Sequence, residues 1–267
     1  MSQQLSRGER WLSLLSNNAP RMPGLCPSLQ VADGELDGQP ARFIAVVPDA
    51  DNHYPRAVHG EVGLLEGWGL AKVVKDTLAA DAQKKQKRII VAVIDVPSQA
   101  YGRREEAFGI HQALAAAAAA YANARLAGHP VIGLIVGNAM SGAFLAHGYQ
   151  ANQLIAFNDA GVMIHAMGKE SAARITLRSV ESLEKLAATI PPMAYDVASY
   201  HSLGLLDALL SLQQPDAPTD ADRQQVMAAL RQAVVNARQG DTSLRHRLGA
   251  ENRRSSVLVR ERMRAVW

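Results

Sequence analysis

The 267-residue sequence predicts an α/β domain on three observations. Residues 88–96, Arg88-Ile89-Ile90-Val91-Ala92-Val93-Ile94-Asp95-Val96, form the continuous apolar run expected of a parallel strand covered on both faces. Residues 131–136 form a second such run and pass through small residues, Gly137-Asn138-Ala139-Met140-Ser141-Gly142-Ala143, into a helix. Between the two lies a long helical stretch, 105–126, built around Ala115 through Ala120. Buried strands alternating with helices of this kind make a parallel sheet with helical crossovers.

The elements follow in order. The polar start, Met1-Ser2-Gln3-Gln4-Leu5-Ser6-Arg7, lacks the basic and apolar regions of a signal peptide. Phe43-Ile44-Ala45-Val46-Val47 reads as a strand, and Leu70, Val73, Val74, Thr77 and Leu78 mark the apolar face of a helix. Pro97 ends the strand at 88–96, and Ser98 through Glu106 read as a polar loop, with Arg103 to Glu106 a solvated helix start. The alanine face of the next helix lets another backbone approach closely, and Gly67 and Gly69 read as packing or loop glycines. Gly128-His129-Pro130 stops the alanine helix. Short strands at 154–157 and 162–165 precede further helices, and Gln213 through Pro218 read as a loop before Arg-rich helices. Residues 1–215 are thus expected to form the main domain, with 216–267 an Arg-rich helical extension of it.

Composition excludes several classes. Apolar residues make up 48% and charged residues 20%, which disfavours disorder and fibrous repeats. The single cysteine, Cys26, rules out an internal disulfide and a multi-cysteine zinc site, so a reducing cytoplasmic location is expected. His111, His129 and His147 show no metal-ligand spacing, so no metal is expected. Residues 126–158 carry no Asp, Glu, Lys or Arg, yet their glycines and polar residues are too frequent for a membrane span. The net charge is 28 − 25 = +3, but residues 223–267 hold ten Arg against Asp241, Glu251 and Glu261. That basic segment has no aromatic residue before Trp267 to stack a base, which argues against nucleic acid.

The chemistry centres on the turn at 137–143. The first N–H groups of a helix have no partner within it and point outward with the positive end of its dipole. Such donors stabilise negative charge on a thioester oxygen, and losing one typically costs about 2.7–4 kcal/mol in the transition state. Gly142 and Ala143 are small enough to admit a substrate, and Gly137 permits the turn; the competing reading is that these residues only allow close packing. Ser141 fits a helix cap or a hydrogen-bond donor to substrate. His165, at the end of an apolar strand, fits either a core imidazole or a pocket group able to donate a hydrogen bond or carry a proton.

The stretch from Asp95 to Arg174 resembles the carboxyltransferase branch of the crotonase superfamily, through Asp95-Val96-Pro97, the helix ending Asn123-Ala124-Arg125-Leu126-Ala127, and Gly137 through Ala146. Within that branch, Gly161-Val162-Met163-Ile164-His165-Ala166-Met167-Gly168-Lys169-Glu170 and the alanine helix are similar to the gamma subunits of biotin-independent malonate decarboxylases. The resemblance implies a crotonase-like ββα spiral with a helical C-terminal extension, and a beta subunit of the same fold sharing the active site. It implies a malonyl thioester substrate held on the thiol prosthetic group of an acyl carrier protein, with acetyl thioester and CO2 as products and no cofactor bound by this chain. A carrier-protein transferase subunit is a further implied partner. Gly142 and Ala143 match the family's oxyanion-hole positions, with Ser141 and His165 as the other catalytic candidates; Met140, Ser98, Gln99 and Tyr101 are candidates for substrate binding. The biotin-dependent relatives place two glycines before the alanine, where this chain has Ser141-Gly142.

Three other readings remain open on the residues. One is a biotin-dependent acyl-CoA carboxyltransferase. Another is a Clp-like serine hydrolase with Ser141, His165 and either Asp196 or Asp207 as a triad. The last is a non-catalytic scaffold, since fold does not dictate function.

Overall fold

The computed structural model describes residues 5–267. A seven-stranded sheet runs in the order β1 (Leu29–Leu36), β2 (Gln39–Val46), β3 (Ile89–Val96), β4 (Val131–Met140), β5 (Gln153–Phe157) and β7 (Ala208–Leu210), with β6 (Met163–His165) paired to the far end of β4. The chain enters through α1 (Arg7–Leu15), β1 (Leu29–Leu36) and β2 (Gln39–Val46). β1 and β2 are an antiparallel hairpin, and Asp37 and Gly38 between them both have positive φ, as a tight two-residue hairpin turn needs.

Next come α2 (Leu64–Ala80), β3 (Ile89–Val96), α3 (Arg103–Ala107), α4 (Ile110–Leu126) and β4 (Val131–Met140). The strands from β2 through β5 and β7 pair in parallel, as buried apolar runs predict. Buried Ala113, Ala117, Ala120 and Ala124 line one face of α4. A Cβ on Gly67 of α2 would lie 3.0 Å from the Ala113 backbone, so the two helices meet nearly backbone to backbone. The expected helix over 105–126 is in fact two: Gly109, at φ +81°, separates α3 from α4. The Arg103–Glu106 stretch starts α3 with Arg103, Arg104 and Glu106 exposed, as the sequence suggests, while Glu105 is buried.

β4 carries the main irregularity. Ile94 pairs with Ile135 but Val96 pairs with Ala139, so β4 spends two extra residues around Gly137 and bends there. Its first half pairs with β5, and its last three residues pair in parallel with β6 (Met163–His165). α5 (Ser141–Ala146) follows β4 immediately, then β5 (Gln153–Phe157), β6, α6 (Lys169–Thr176), α7 (Val180–Ala187), α8 (Val197–Ser202), β7 (Ala208–Leu210), α9 (Asp220–Gln239) and α10 (Arg254–Val266). α9 buries Val226, Leu230, Ala233 and Val234 in the main core, whereas α10 buries nothing. Among the described residues no helix is long and apolar enough to cross a membrane.

Candidate active site

The strand-to-helix turn is sharper and later than the glycine pattern suggests, because β4 runs on through Met140. Met140 is extended and buried, and Ser141 then adopts φ +57°, a left-handed conformation uncommon outside glycine and asparagine. One such residue reverses the chain within a single step, at a cost of order 1–3 kcal/mol that the surrounding packing must hold. Ser141 is therefore the first helical residue and not the cap its sequence context suggests; the capping position falls on Met140, which offers no side-chain bond.

The two glycines of the turn serve different ends. A Cβ on Gly137 would lie 2.1 Å from Asp95 Oδ1, so this residue is glycine because the carboxylate fills the space. Asp95 Oδ1 accepts from the Asn138 N–H at 3.0 Å, and Oδ2 from the Gly8 N–H at 3.2 Å, tying the bend in β4 to the start of α1. Arg7 fastens the same bend, donating to Val136 O at 3.0 Å and pairing with Asp159 and Asp216. At Gly142 the nearest atoms to a Cβ are Gln99 Oε1 at 3.4 Å and Leu114 Cδ1 at 3.5 Å, ordinary contacts that leave packing no need for glycine. That side of the turn faces a groove of about 460 Å³ lined by Gln99, Tyr101, Glu106, Ile110, His111 and Leu114.

Gln99 thus reaches the turn, and Tyr101 lines the same groove, as the loop after β3 carries them there. The Gly142 N–H donates to Gln99 Oε1 at 2.8 Å. The Ala143 N–H lies too early in α5 for a helical partner. Ser98 turns inward to its own loop, donating to Gln99 O at 3.0 Å. The loop is fixed by its backbone, since Val62 donates to Ser98 O at 3.1 Å and Ala100 donates to Val62 O at 3.0 Å. Val62 in turn sits beside a buried carboxylate: Glu66 accepts from Ser28 Oγ at 2.5 Å, Asn52 Nδ2 at 2.8 Å and the Gly63 N–H at 2.9 Å. Asp95, Glu66 and Leu114 were not singled out for the site by sequence; the only trace was Asp95 at the carboxyl end of a buried strand, where α/β folds bind ligands.

His165 stands in register opposite Met140, one residue from the turn. Its ring stacks on Tyr195 at 3.9 Å, and its Nδ1 lies 3.0 Å from Met167 O. Burial pushes its pKa below the ordinary value, so the imidazole is neutral near pH 7. Among the described residues no hydrogen bond joins Ser141 to His165. Asp196 caps α8 through the Ser199 N–H at 2.8 Å, and Asp207 accepts from the Leu154 N–H at 2.7 Å, so neither acid orients the imidazole. The hydrolase triad is not assembled. A larger cavity of about 650 Å³ is lined by Met163, Lys169, Glu184 and Tyr195 among others, and by none of residues 137–143. Among the described residues no cluster of His, Cys, Asp and Glu is arranged to hold a metal ion.

A bent central strand running into a short helix, with a groove beside the junction, is the arrangement of the crotonase-like fold class. The transcarboxylase 12S core with bound methylmalonyl-coenzyme A shares the fold at a TM-score of 0.60 and 18% identity, over 84% of this chain and 41% of that one. Closer likeness narrows the class: the family model described as malonate decarboxylase gamma subunit matches residues 57–267, and the chain belongs to that family. A Pseudomonas malonate decarboxylase hetero-tetramer in complex with coenzyme A contains a chain 61% identical, superposing at a TM-score of 0.94 over 98% of this chain and 100% of that one. The malonyl-S-ACP:biotin-protein carboxyltransferase of Malonomonas rubra is 36% identical over 188 residues, which cover 69% of this chain and 64% of that protein.

Proposed function

We propose that this chain is the gamma subunit of a malonate decarboxylase and, with a beta subunit of similar fold, converts a malonyl thioester on an acyl carrier protein into the acetyl thioester and CO2. Family membership supports the reaction class, and the Gly142 amide supports the site, since its acceptor Gln99 lines a groove and packing does not demand glycine there. Breaking the bond to the carboxylate leaves its electron pair on the adjacent carbon as an enolate. The reaction then needs a donor on the thioester oxygen and a proton delivered to carbon. The amides of Gly142 and Ala143 supply the donors, whether to that oxygen or to the departing carboxylate, and the bend in β4 fixes the direction of their backbone. The neutral His165 beside Met140 can donate to the malonyl group from Nε2 in the tautomer whose Nδ1 accepts from the Met167 N–H at 3.2 Å. The chain itself holds no cofactor in this reading; the thiol belongs to the carrier. A cytoplasmic enzyme agrees with Cys26 as the only cysteine.

The Malonomonas rubra relative, named for carboxyl transfer to a biotin protein, favours a second reading in which the CO2 unit is passed on. Mixing this chain, the beta subunit and malonyl carrier without a biotin protein distinguishes the two: decarboxylation releases CO2 at full rate, whereas obligate transfer releases none. In the same assay Gly142→Val, whose side chain fills the space toward Gln99 and Leu114, is expected to lower turnover at least about 100-fold while the subunits still assemble. Wild-type turnover by an assembled Gly142→Val complex would remove the oxyanion role from this turn.

A further inference from the structure

The donor assigned to substrate is already occupied by the protein itself. Gln99 Oε1 sits 2.8 Å from the Gly142 nitrogen, where an acyl oxygen bound by that N–H would stand. A side-chain carboxamide oxygen and a thioester carbonyl oxygen are the same kind of acceptor, so they compete for one N–H. We infer that Gln99 is a place-holder: its carboxamide satisfies the Gly142 amide in the empty site and must swing out before the thioester carbonyl or the malonyl carboxylate can bind there. The inference rests on the reading of Gly142 as a substrate donor.

Three features of the structure allow this exchange. The backbone of the Gln99 loop is pinned on both sides by Val62, through Ser98 O and the Ala100 N–H, so the side chain can change rotamer without moving the loop. Gln99 lines the groove of about 460 Å³, which gives the displaced carboxamide a place to go. Gly142 has no Cβ, so nothing on its own residue separates the N–H from either acceptor. The place-holder has a thermodynamic consequence. It stabilises the empty site and therefore weakens every ligand that needs the same N–H by one factor, substrate and product alike. It also limits retention of the acetyl product, whose carbonyl meets the same competition.

The test uses the complex assembled with its beta subunit and full-length carrier. Gln99→Ala is expected to lower both the KM for malonyl carrier and the inhibition constant of acetyl carrier by a common factor of roughly three to ten, the worth of one neutral hydrogen bond, so that kcat/KM rises. Gln99→Glu keeps the side-chain size but places a carboxylate on the N–H, a stronger acceptor, and is expected to raise both constants. A residue that merely supported the loop or bound substrate would give the opposite result for alanine. A KM or product constant that rises or stays unchanged in Gln99→Ala overturns the place-holder, and if that variant fails to assemble, unchanged constants in Gln99→Glu do so. Gly142→Val is run alongside: if it abolishes turnover while Gln99→Ala raises KM, only the place-holder fails; if it turns over normally, the oxyanion reading fails with it.

Discussion

His147 lies a few residues beyond the turn and is fully buried, with Nε2 3.1 Å from Val93 O and Nδ1 3.0 Å from the Tyr121 hydroxyl. The partners assign the tautomer: Nε2–H donates to the carbonyl and Nδ1 accepts from the phenol. A proton added on Nδ1 would displace the hydrogen bond that the phenol donates there, and burial pushes the pKa down to about 4 against an ordinary 6.5. Because the folded value is the lower one, the stabilisation is present above pH 6.5 and is lost as pH falls toward 4. The full effect is roughly 3 kcal/mol, of which about 2 is gone by pH 5. Urea titrations at pH 7 and pH 5 should therefore show wild type losing more stability on acidification than His147→Gln; parallel losses would mean that this imidazole is not held neutral. The sequence showed His147 only as a histidine without a ligand set, since the carbonyl that holds it lies 54 positions away.

The element on which the site depends is the bent strand β4. Its bend was legible as a glycine in a buried run, but the sequence suggests a turn there, and the structure shows a continuing strand with a carboxylate beneath it. Gly137→Ala would drive its methyl into Asp95 and release the Asn138 and Gly8 amides that the carboxylate holds. A loss of about 2–4 kcal/mol in unfolding free energy is expected. Asp95→Ala should cost a similar amount, and the double variant should be no worse than the poorer single one, because both remove the same arrangement. Strictly additive losses would show that Gly137 is needed for some other reason. The alanine face of α4 was legible for a simpler reason: helix propensity and small size are properties of consecutive residues, and they point to the close packing on Gly67 that is observed. The break at Gly109 was not legible, because a lone glycine inside a helical pattern is ordinarily tolerated, and only φ +81° marks it as a boundary.

Over the whole molecule the basic C-terminal segment divides in two. α9 belongs to the core, and Arg125 and Arg247 tie the following stretch back to it, Arg247 donating to Tyr149 O at 2.9 Å and Ala151 O at 2.7 Å, and Arg125 to Thr242 O. α10 stands clear, with Leu258, Val259 and Met263 exposed alongside Arg260, Arg262 and Arg264. Deleting residues 254–267 should shift the thermal midpoint by less than about 2 °C, since no residue of α10 is buried. The same deletion removes four Arg and one Glu. If α10 steers an acidic carrier, the carrier association rate should fall at low salt and become less salt-dependent. An unchanged rate at low salt would leave α10 to solvent or to the partner subunit.

The sequence by itself determined the α/β class, the buried strands at 89–96 and 131–136, the alanine helix, the turn rich in small residues and the family likeness. Each of these is written in neighbouring residues, as apolar runs, helix propensity or a local motif. The first hairpin is also written locally, in Asp37-Gly38. Only the tertiary structure decided that Asp95 fills the space at Gly137, that Gln99 holds the Gly142 amide, and that Arg7 reaches Asp159 and Asp216. These pairs join residues from about 40 to about 210 positions apart, brought together by sheet order and by the bend in β4. A hydrogen bond between such residues depends on where the fold places them and leaves no periodic mark in the chain.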